Sequence, residues 1–218
     1  MKSGWMKGTV ILTGTAFFVK LLSLLYKVPY QNLAGDEGLY VFQQVYPLIG
    51  IYTTLNGIVL PTIISELLLT YGYSEDIKRY IRNSLWFFGL VSFGCLYLGS
   101  NVIAYLMGDL QLSLLIKVVG LAFLLVPTLS YLRGVSQTRA ETIHEVGYST
   151  TIEQLIRVMA IVFALFMLQE QSVYRLAYFA YLGGLAGPLM AIAYLCLKKP
   201  KDQPQQFLKL THRPHFFK

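Results

Sequence analysis

Residues 1–30 read MKSGWMKGTVILTGTAFFVKLLSLLYKVPY, and this stretch decides the class of the protein. It is apolar and long enough to cross a hydrocarbon core of about 30 Å. It nevertheless carries Lys20 near its middle and Lys27 near its far end. A charge at the centre of a membrane helix costs about 2.5–3.5 kcal/mol on insertion scales, so it is expected to face a partner or a water-filled cavity. The segment therefore predicts a membrane protein with a cationic interior.

Two interpretations of these lysines stay open. Lys27 follows Lys20 by about two helical turns, so one helix face would carry both cations and would attract an anion such as a phosphate. Alternatively, each lysine extends to the membrane surface or pairs with an acidic residue such as Glu66 on another helix.

The composition of the whole chain supports the membrane assignment. Of the 218 residues, 55% are hydrophobic and 13% are charged, whereas soluble domains carry about 25% charged residues. Lys2 and Lys7 precede the first apolar run as in a signal peptide, but the run is too long and lacks a small-residue cleavage site, which predicts a retained span. Cys95 and Cys196 lie in apolar runs and are predicted to be small buried side chains rather than a disulfide.

Six apolar stretches are each long enough to cross a membrane. They predict an all-α, polytopic six-helix bundle over residues 1–197, followed by a basic tail, 198–218, whose prolines and charges predict disorder. The approximate limits of the predicted spans are 8–30, 39–69, 84–106, 112–132, 151–168 and 174–197.

The loop charges predict the orientation of this bundle. If the N-terminus is cytoplasmic, the inner segments carry thirteen Lys and Arg residues and the outer loops carry only Arg175. The positive-inside rule therefore places both termini in the cytoplasm. It also accounts for the net charge of +7 without a nucleic-acid partner.

Polar residues inside the predicted spans form a second set of candidates. Glu153 and Arg157 are spaced i,i+4, as are Arg133 and Gln137, so each pair either anchors a helix end or forms part of an inner gate. Gln43 and Asn56 either line a cavity or join helices by hydrogen bonds. Bending, or ordinary kinked packing, is predicted at Pro47, Pro61, Gly183, Gly187 and Pro188.

The sequence contains no pattern typical of an enzyme. There is no phosphate-binding glycine loop, which disfavours an ATP-driven pump. No Cys/His cluster has the spacing of metal ligands. We therefore predict no catalytic residue, no metal site and no cofactor.

A series of short motifs resembles one family. The motifs are, in chain order, Gly8-Thr9, Lys20, the turn Gly35-Asp36-Glu37-Gly38, Leu60-Pro61-Thr62-Ile63-Ile64-Ser65, Arg133-Gly134-Val135-Ser136-Gln137 and Glu153-Gln154-Leu155-Ile156-Arg157-Val158. In this order, over residues 5 to about 197, the chain resembles the polysaccharide-biosynthesis flippases. Their superfamily includes the MATE drug exporters, and the resemblance is to the branch of lipid II flippases and sporulation stage V protein B. The chain departs from the family pattern at Lys20, where Arg is more usual, and at Glu66.

This resemblance implies a function and partners. It implies a bacterial plasma-membrane flippase that moves a lipid-linked sugar pyrophosphate by alternating access, in contact with membrane lipids. Family members resemble two six-helix lobes, so this chain would be a half-length or truncated form that needs a second lobe, by homodimerisation or from a separate chain. The cavity residues would be Lys20, Lys27, Gln43 and Asn56, and the gate or anchor residues Glu66, Arg133, Gln137, Glu153 and Arg157. The alternative is a six-span solute-binding subunit of a multi-component transporter.

Overall fold

The computed structural model describes residues 2–139, 141–168 and 170–198, and its regular secondary structure is entirely helical there. This confirms the predicted all-α fold. The described residues form eleven α-helices, with a π-helical segment at Leu55–Val59 and a 3-10 turn at Leu110–Leu112. The helices are α1 Lys2–Leu25, α2 Lys27–Gln44, α3 Tyr46–Thr54, α4 Leu60–Tyr71, α5 Glu75–Leu98, α6 Ser100–Leu106, α7 Ser113–Phe123, α8 Val126–Gln137, α9 Ile143–Leu168, α10 Val173–Gly184 and α11 Ala186–Leu197.

Five helical segments of the described chain are long and apolar enough to cross a membrane, which makes this a multi-pass membrane protein. They are Tyr46–Tyr71, Glu75–Leu98, Leu110–Gln137, Ile143–Leu168 and Val173–Leu197. The predicted first span corresponds to α1, whose 24 residues extend over about 36 Å. The total of six spans remains a prediction.

Most predicted spans are helices in two parts. The second is broken at Val45 before Pro47, passes through the π-helical segment, and continues from Leu60 into Pro61. Each of these prolines lies in the first turn of a helix, where its missing N–H leaves no hydrogen bond unmade. The span over 112–132 is likewise divided before Pro127.

The polar segment 71–83, which lies between the second and third predicted spans, is mostly helical. Gly72 ends α4 with a φ of +89°, and α5 begins at Glu75. The Ser74 hydroxyl accepts a hydrogen bond from the backbone N–H of Ile77 at 3.3 Å, and acidic residues occupy the first turn. These N-terminal signals extend the helix into its polar sequence because they satisfy the free N–H groups and the helix dipole.

Helix α9 lies at the centre of the bundle, packed against α1, α2, α8, α10 and α11. The contact with α11 is close, because a Cβ on Gly187 would lie 2.5 Å from the backbone oxygen of Glu153. Small residues permit such approaches between membrane helices.

The predictions for the two cysteines and for the C-terminal tail differ in their outcomes. The prediction that Cys95 and Cys196 are buried is wrong, since both are exposed on the surface of the bundle; a membrane protein can turn apolar side chains outward because lipid is itself apolar. Residues 199–218 lie outside the described residues, so the predicted disordered tail remains a prediction.

The close contact between α9 and α11 at Gly187 gives a stability test. We expect Gly187→Ala to lower the free energy of unfolding by about 1–3 kcal/mol, because the added methyl group displaces α11 from α9. Thermal unfolding of the purified protein in detergent measures this. The matched control is Gly94→Ala in α5, where an added Cβ meets nothing within 4 Å; there alanine favours the helix by up to about 1 kcal/mol. Equal melting temperatures for the two variants would contradict the close α9–α11 contact.

Candidate functional site: a cationic cavity beside the central helix

A cavity of about 580 Å³ lies beside α9. Its walls come from α1, α3, the π-helical segment and the helices packed on α9, and most of them are apolar. The charged and amide side chains that line it are Lys20, Arg133, Gln137, Glu153, Gln154 and Arg157. Three cations and one carboxylate give this lining a net positive charge.

The centre of the site is one carboxylate shared by two arginines. Glu153 Oε2 accepts a hydrogen bond from Arg133 Nη2 at 2.8 Å, and Oε1 accepts one from Arg157 Nη2. Arg133 comes from α8 and the other two residues from α9. Because Arg133 and Glu153 are almost fully buried, each depends on the other for neutralisation, since an unpaired buried charge is strongly destabilising.

Arg133 is held by further hydrogen bonds. Its Nε donates to the Ser149 hydroxyl at 3.0 Å, and its Nη1 donates to the backbone oxygen of Asn56 at 3.4 Å. Asn56 lies in the π-helical segment, where the ordinary backbone pattern is interrupted and carbonyls are more easily shared. The guanidinium of Arg133 therefore joins α8, α9 and the π-helical segment.

A polar chain continues from Asn56 to the carboxylate. Ser130 donates to the Asn56 side-chain oxygen at 3.1 Å, and the Asn56 amide donates to the Tyr52 hydroxyl at 3.3 Å. The Tyr52 hydroxyl in turn donates to Glu153 Oε1 at 3.4 Å. The buried polar groups of this cluster thus satisfy one another, as burial requires.

A second chain of contacts links the cluster to α1. Arg157 donates to the Gln154 side-chain oxygen at 3.3 Å, and the Gln154 amide donates to Ser23 Oγ at 2.8 Å. Ser23 lies one turn from Lys20 on α1. Lys20 therefore lies on a helix that is hydrogen-bonded to the central cluster.

The structure separates the two predicted lysines. Lys20 lines the cavity, is exposed, and forms no ion pair with any described residue. Lys27 does not line the cavity; its Nζ lies 5.8 Å from the centre of the Tyr46 ring. Only Lys20 of the two therefore faces the cavity; α1 ends at Leu25, and Lys27 begins the next helix.

The other predicted site residues also divide into those that line the cavity and those that do not. Gln137 and Pro188 line the cavity, whereas Gln43, Glu66 and Pro47 are exposed outside it. Pro61 and Gly187 are buried between helices, and a Cβ on Gly183 would meet Ala160 at 3.2 Å. Asn56 is buried behind the cavity wall and contacts the cluster instead. Their roles as cavity, gate or hinge residues remain predictions.

Sequence reasoning missed several members of the cluster. Tyr52, Ser130, Ser149, Gln154 and Ser23 were not singled out, although helical spacing offered a signal. Tyr52 and Asn56 are spaced i,i+4, as are Ser149 and Glu153, while Ser130 and Arg133 are spaced i,i+3. Each spacing places a polar side chain beside a candidate on one helix face.

Comparison with known proteins identifies the family of the chain. Residues 5–216 match the family described as polysaccharide biosynthesis protein, a match that extends beyond residue 197, the limit of the resemblance expected from the sequence. The chain belongs to this family. Its resemblance to the flippase superfamily is confirmed by relatives in that superfamily. No solved structure matches the chain.

Three relatives come from Bacillus subtilis (strain 168). The membrane protein YabM is 38% identical over 200 residues, which cover 89% of this chain and 37% of YabM. Stage V sporulation protein B is 26% identical over 92% of this chain and 40% of its own length. The lipid II flippase MurJ is 24% identical over 77% of this chain and 34% of its own length. The chain thus spans well under half the length of the curated relatives it matches.

The buried cluster gives a second stability test. We expect Arg133→Gln to lower the free energy of unfolding by about 3–5 kcal/mol, because it removes a partner of the buried Glu153 carboxylate. Chemical or thermal unfolding in detergent measures the change. The control is Lys78→Gln, which removes an exposed ion pair with Glu75 and is expected to change stability far less. A similar decrease in the free energy of unfolding of both variants would contradict the stabilising role of the buried ion pair.

Proposed function

We propose that the chain forms one wall of a membrane cavity through which an anionic, lipid-linked sugar precursor of a bacterial polysaccharide or of peptidoglycan is moved across the plasma membrane. The observation that carries this proposal is the net positive charge of an otherwise apolar cavity. A lipid-linked sugar pyrophosphate has matching chemistry, since its phosphates need cations and its lipid needs an apolar path.

The cations of the wall differ in their availability to a ligand. Lys20 is exposed and unpaired among the described residues, and Arg157 is partly exposed beside Glu153. We assign the first contact with phosphate to Lys20, because an ammonium without a counter-ion at membrane depth gains most from an incoming anion. Arg157 is the second contact.

A second lobe would complete the cavity. Two large apolar side chains are each 66% exposed, Phe17 on the same helix as Lys20 and Ile58 at the cavity in the π-helical segment. The greater length of the relatives supports the same idea. We propose that the facing wall comes from a second copy or from a separate chain, and that alternating access moves the two walls against each other.

The bending that alternating access requires fits the interrupted helices. The π-helical segment Leu55–Val59 and the break before Pro188 both adjoin the cavity. Interruptions of this kind are where membrane helices change direction. Pro47 and Pro61, at the starts of α3 and α4, would add to the movement of the same span.

Transport gives the direct test of the proposal. We expect Lys20→Gln to slow translocation of a fluorescent undecaprenyl-diphosphate-linked sugar in proteoliposomes by about tenfold or more, because a hydrogen-bonded charge pair is lost. Lys20→Arg retains the cation and should retain most of the rate. The control is Arg175→Gln, which removes an exposed arginine outside the cavity.

Two results would contradict the proposal. One is an equal rate for the wild-type chain and Lys20→Gln. The other is equal transport of a neutral lipid-linked sugar, which would show that the positive charge of the cavity does not select the substrate.

The proposed orientation, with both termini in the cytoplasm, has its own test. In a background without Cys95 and Cys196, we expect Asp36→Cys to react with a membrane-impermeant maleimide added to intact cells. Glu75→Cys should react only after permeabilisation. Both native side chains are exposed, so access is decided by the side of the membrane. Labelling of Glu75→Cys from outside would reverse the topology.

A further inference from the structure

The two arginines of the central cluster are unequal. Arg133 has 1% of its side chain exposed and donates to Ser149, Glu153 and the Asn56 backbone. Arg157 has 14% of its side chain exposed and donates to Glu153 and Gln154. A guanidinium carries about five N–H donors. Arg157 therefore still has N–H groups that can donate to a ligand, and its side chain is the more accessible of the two at the cavity.

The carboxylate between them holds both arginines at once. Oε2 of Glu153 is directed at Arg133, and Oε1 is directed at Arg157 and the Tyr52 hydroxyl. The two ion pairs therefore use different oxygens. The bond to Arg157 can be lost while the bond to Arg133 is kept.

The position of Arg157 is fixed by more than this ion pair. Its guanidinium carbon lies 5.8 Å from the centre of the Tyr52 ring, and the Gln154 oxygen accepts from Nη1. These contacts keep the guanidinium at the cavity when the carboxylate is replaced. A phosphate can take the place of the Glu153 oxygen because both are anionic oxygens that pair with the guanidinium fork.

We propose that Glu153 is an internal competitor of the transported anion: it neutralises Arg157 while the cavity is empty, and the phosphate of the ligand displaces it from Arg157 on binding. This rests on the proposed function and adds a determinant of affinity to it. The carboxylate weakens ligand binding because every bound phosphate replaces an existing ion pair. It also promotes release, because it repairs the pair with Arg157 as the ligand leaves.

Binding measurements on the full chain in detergent test this. The probes are undecaprenyl diphosphate and inorganic pyrophosphate, which separate a lipid-linked phosphate from a free one. We expect Glu153→Gln to lower the dissociation constant by about tenfold, equal to about 1.4 kcal/mol. Arg157→Gln should weaken binding by a similar factor. The matched controls are Glu75→Gln and Arg175→Gln, which remove an exposed carboxylate and an exposed arginine outside the cavity.

A double variant separates competition from net charge and from misfolding. Arg133→Gln with Glu153→Gln removes one charge of each sign, so the cluster keeps its net charge while Arg157 loses its competitor. Removing both members of a buried pair is tolerated far better than removing one. We expect this variant to melt at a higher temperature than Glu153→Gln and to bind undecaprenyl diphosphate about tenfold more tightly than wild type.

Transport kinetics supply a readout that a purely structural role would not change. Tighter binding with slower release should lower both the half-saturating concentration and the maximal rate in Glu153→Gln. A structural role would lower the melting temperature and leave the affinity of the folded protein unchanged.

The outcomes are distinguishable. Tighter binding by the double variant supports the proposal, whereas tighter binding by Glu153→Gln alone shows an effect of net charge and overturns the competitor role. If the wild type binds a probe and both variants bind it equally or more weakly, the competitor role is wrong. The proposed function then still stands. If no form binds either probe, the proposed function fails, and the competitor role with it.

Discussion

The structure depends on keeping one carboxylate between two arginines inside a membrane protein. Glu153 faces Arg133 from α8 and Arg157 from its own helix. None of these charges is stable alone away from water, so the helices that carry them must meet in one arrangement. The hydrogen bonds of Arg133 to Ser149 and to the Asn56 backbone extend this constraint to the π-helical segment.

The same constraint explains why α9 is central. The helix carries Glu153 and Arg157, contacts α11 closely at Gly187, and reaches α1 through the bond from Gln154 to Ser23. Movement of α1 or α11 against α9 therefore changes the surroundings of the cavity cations. A bundle built this way couples helix movement to charge, as the proposed transport of an anion requires.

Sequence spacing foretold part of this site. The Glu153–Arg157 pair follows from i,i+4 geometry within one helix, and it forms in the structure. The cost of a mid-span charge identified Lys20, which lines the cavity. Lys27, at the start of α2, does not line the cavity. Arg133 was expected to anchor a helix end or to form part of an inner gate; it is buried in α8 and pairs with a residue twenty positions later.

The amino-acid sequence by itself determined the class of the protein, its helical character and the candidate charges. These follow from composition and local periodicity, because lipid requires long apolar helices whatever their arrangement. Only the tertiary structure decided which charges meet, which one stays open to the cavity, and that a shared carboxylate holds two arginines. Contacts between helices depend on where they bend and cross, and sequence spacing encodes neighbours only along a single helix.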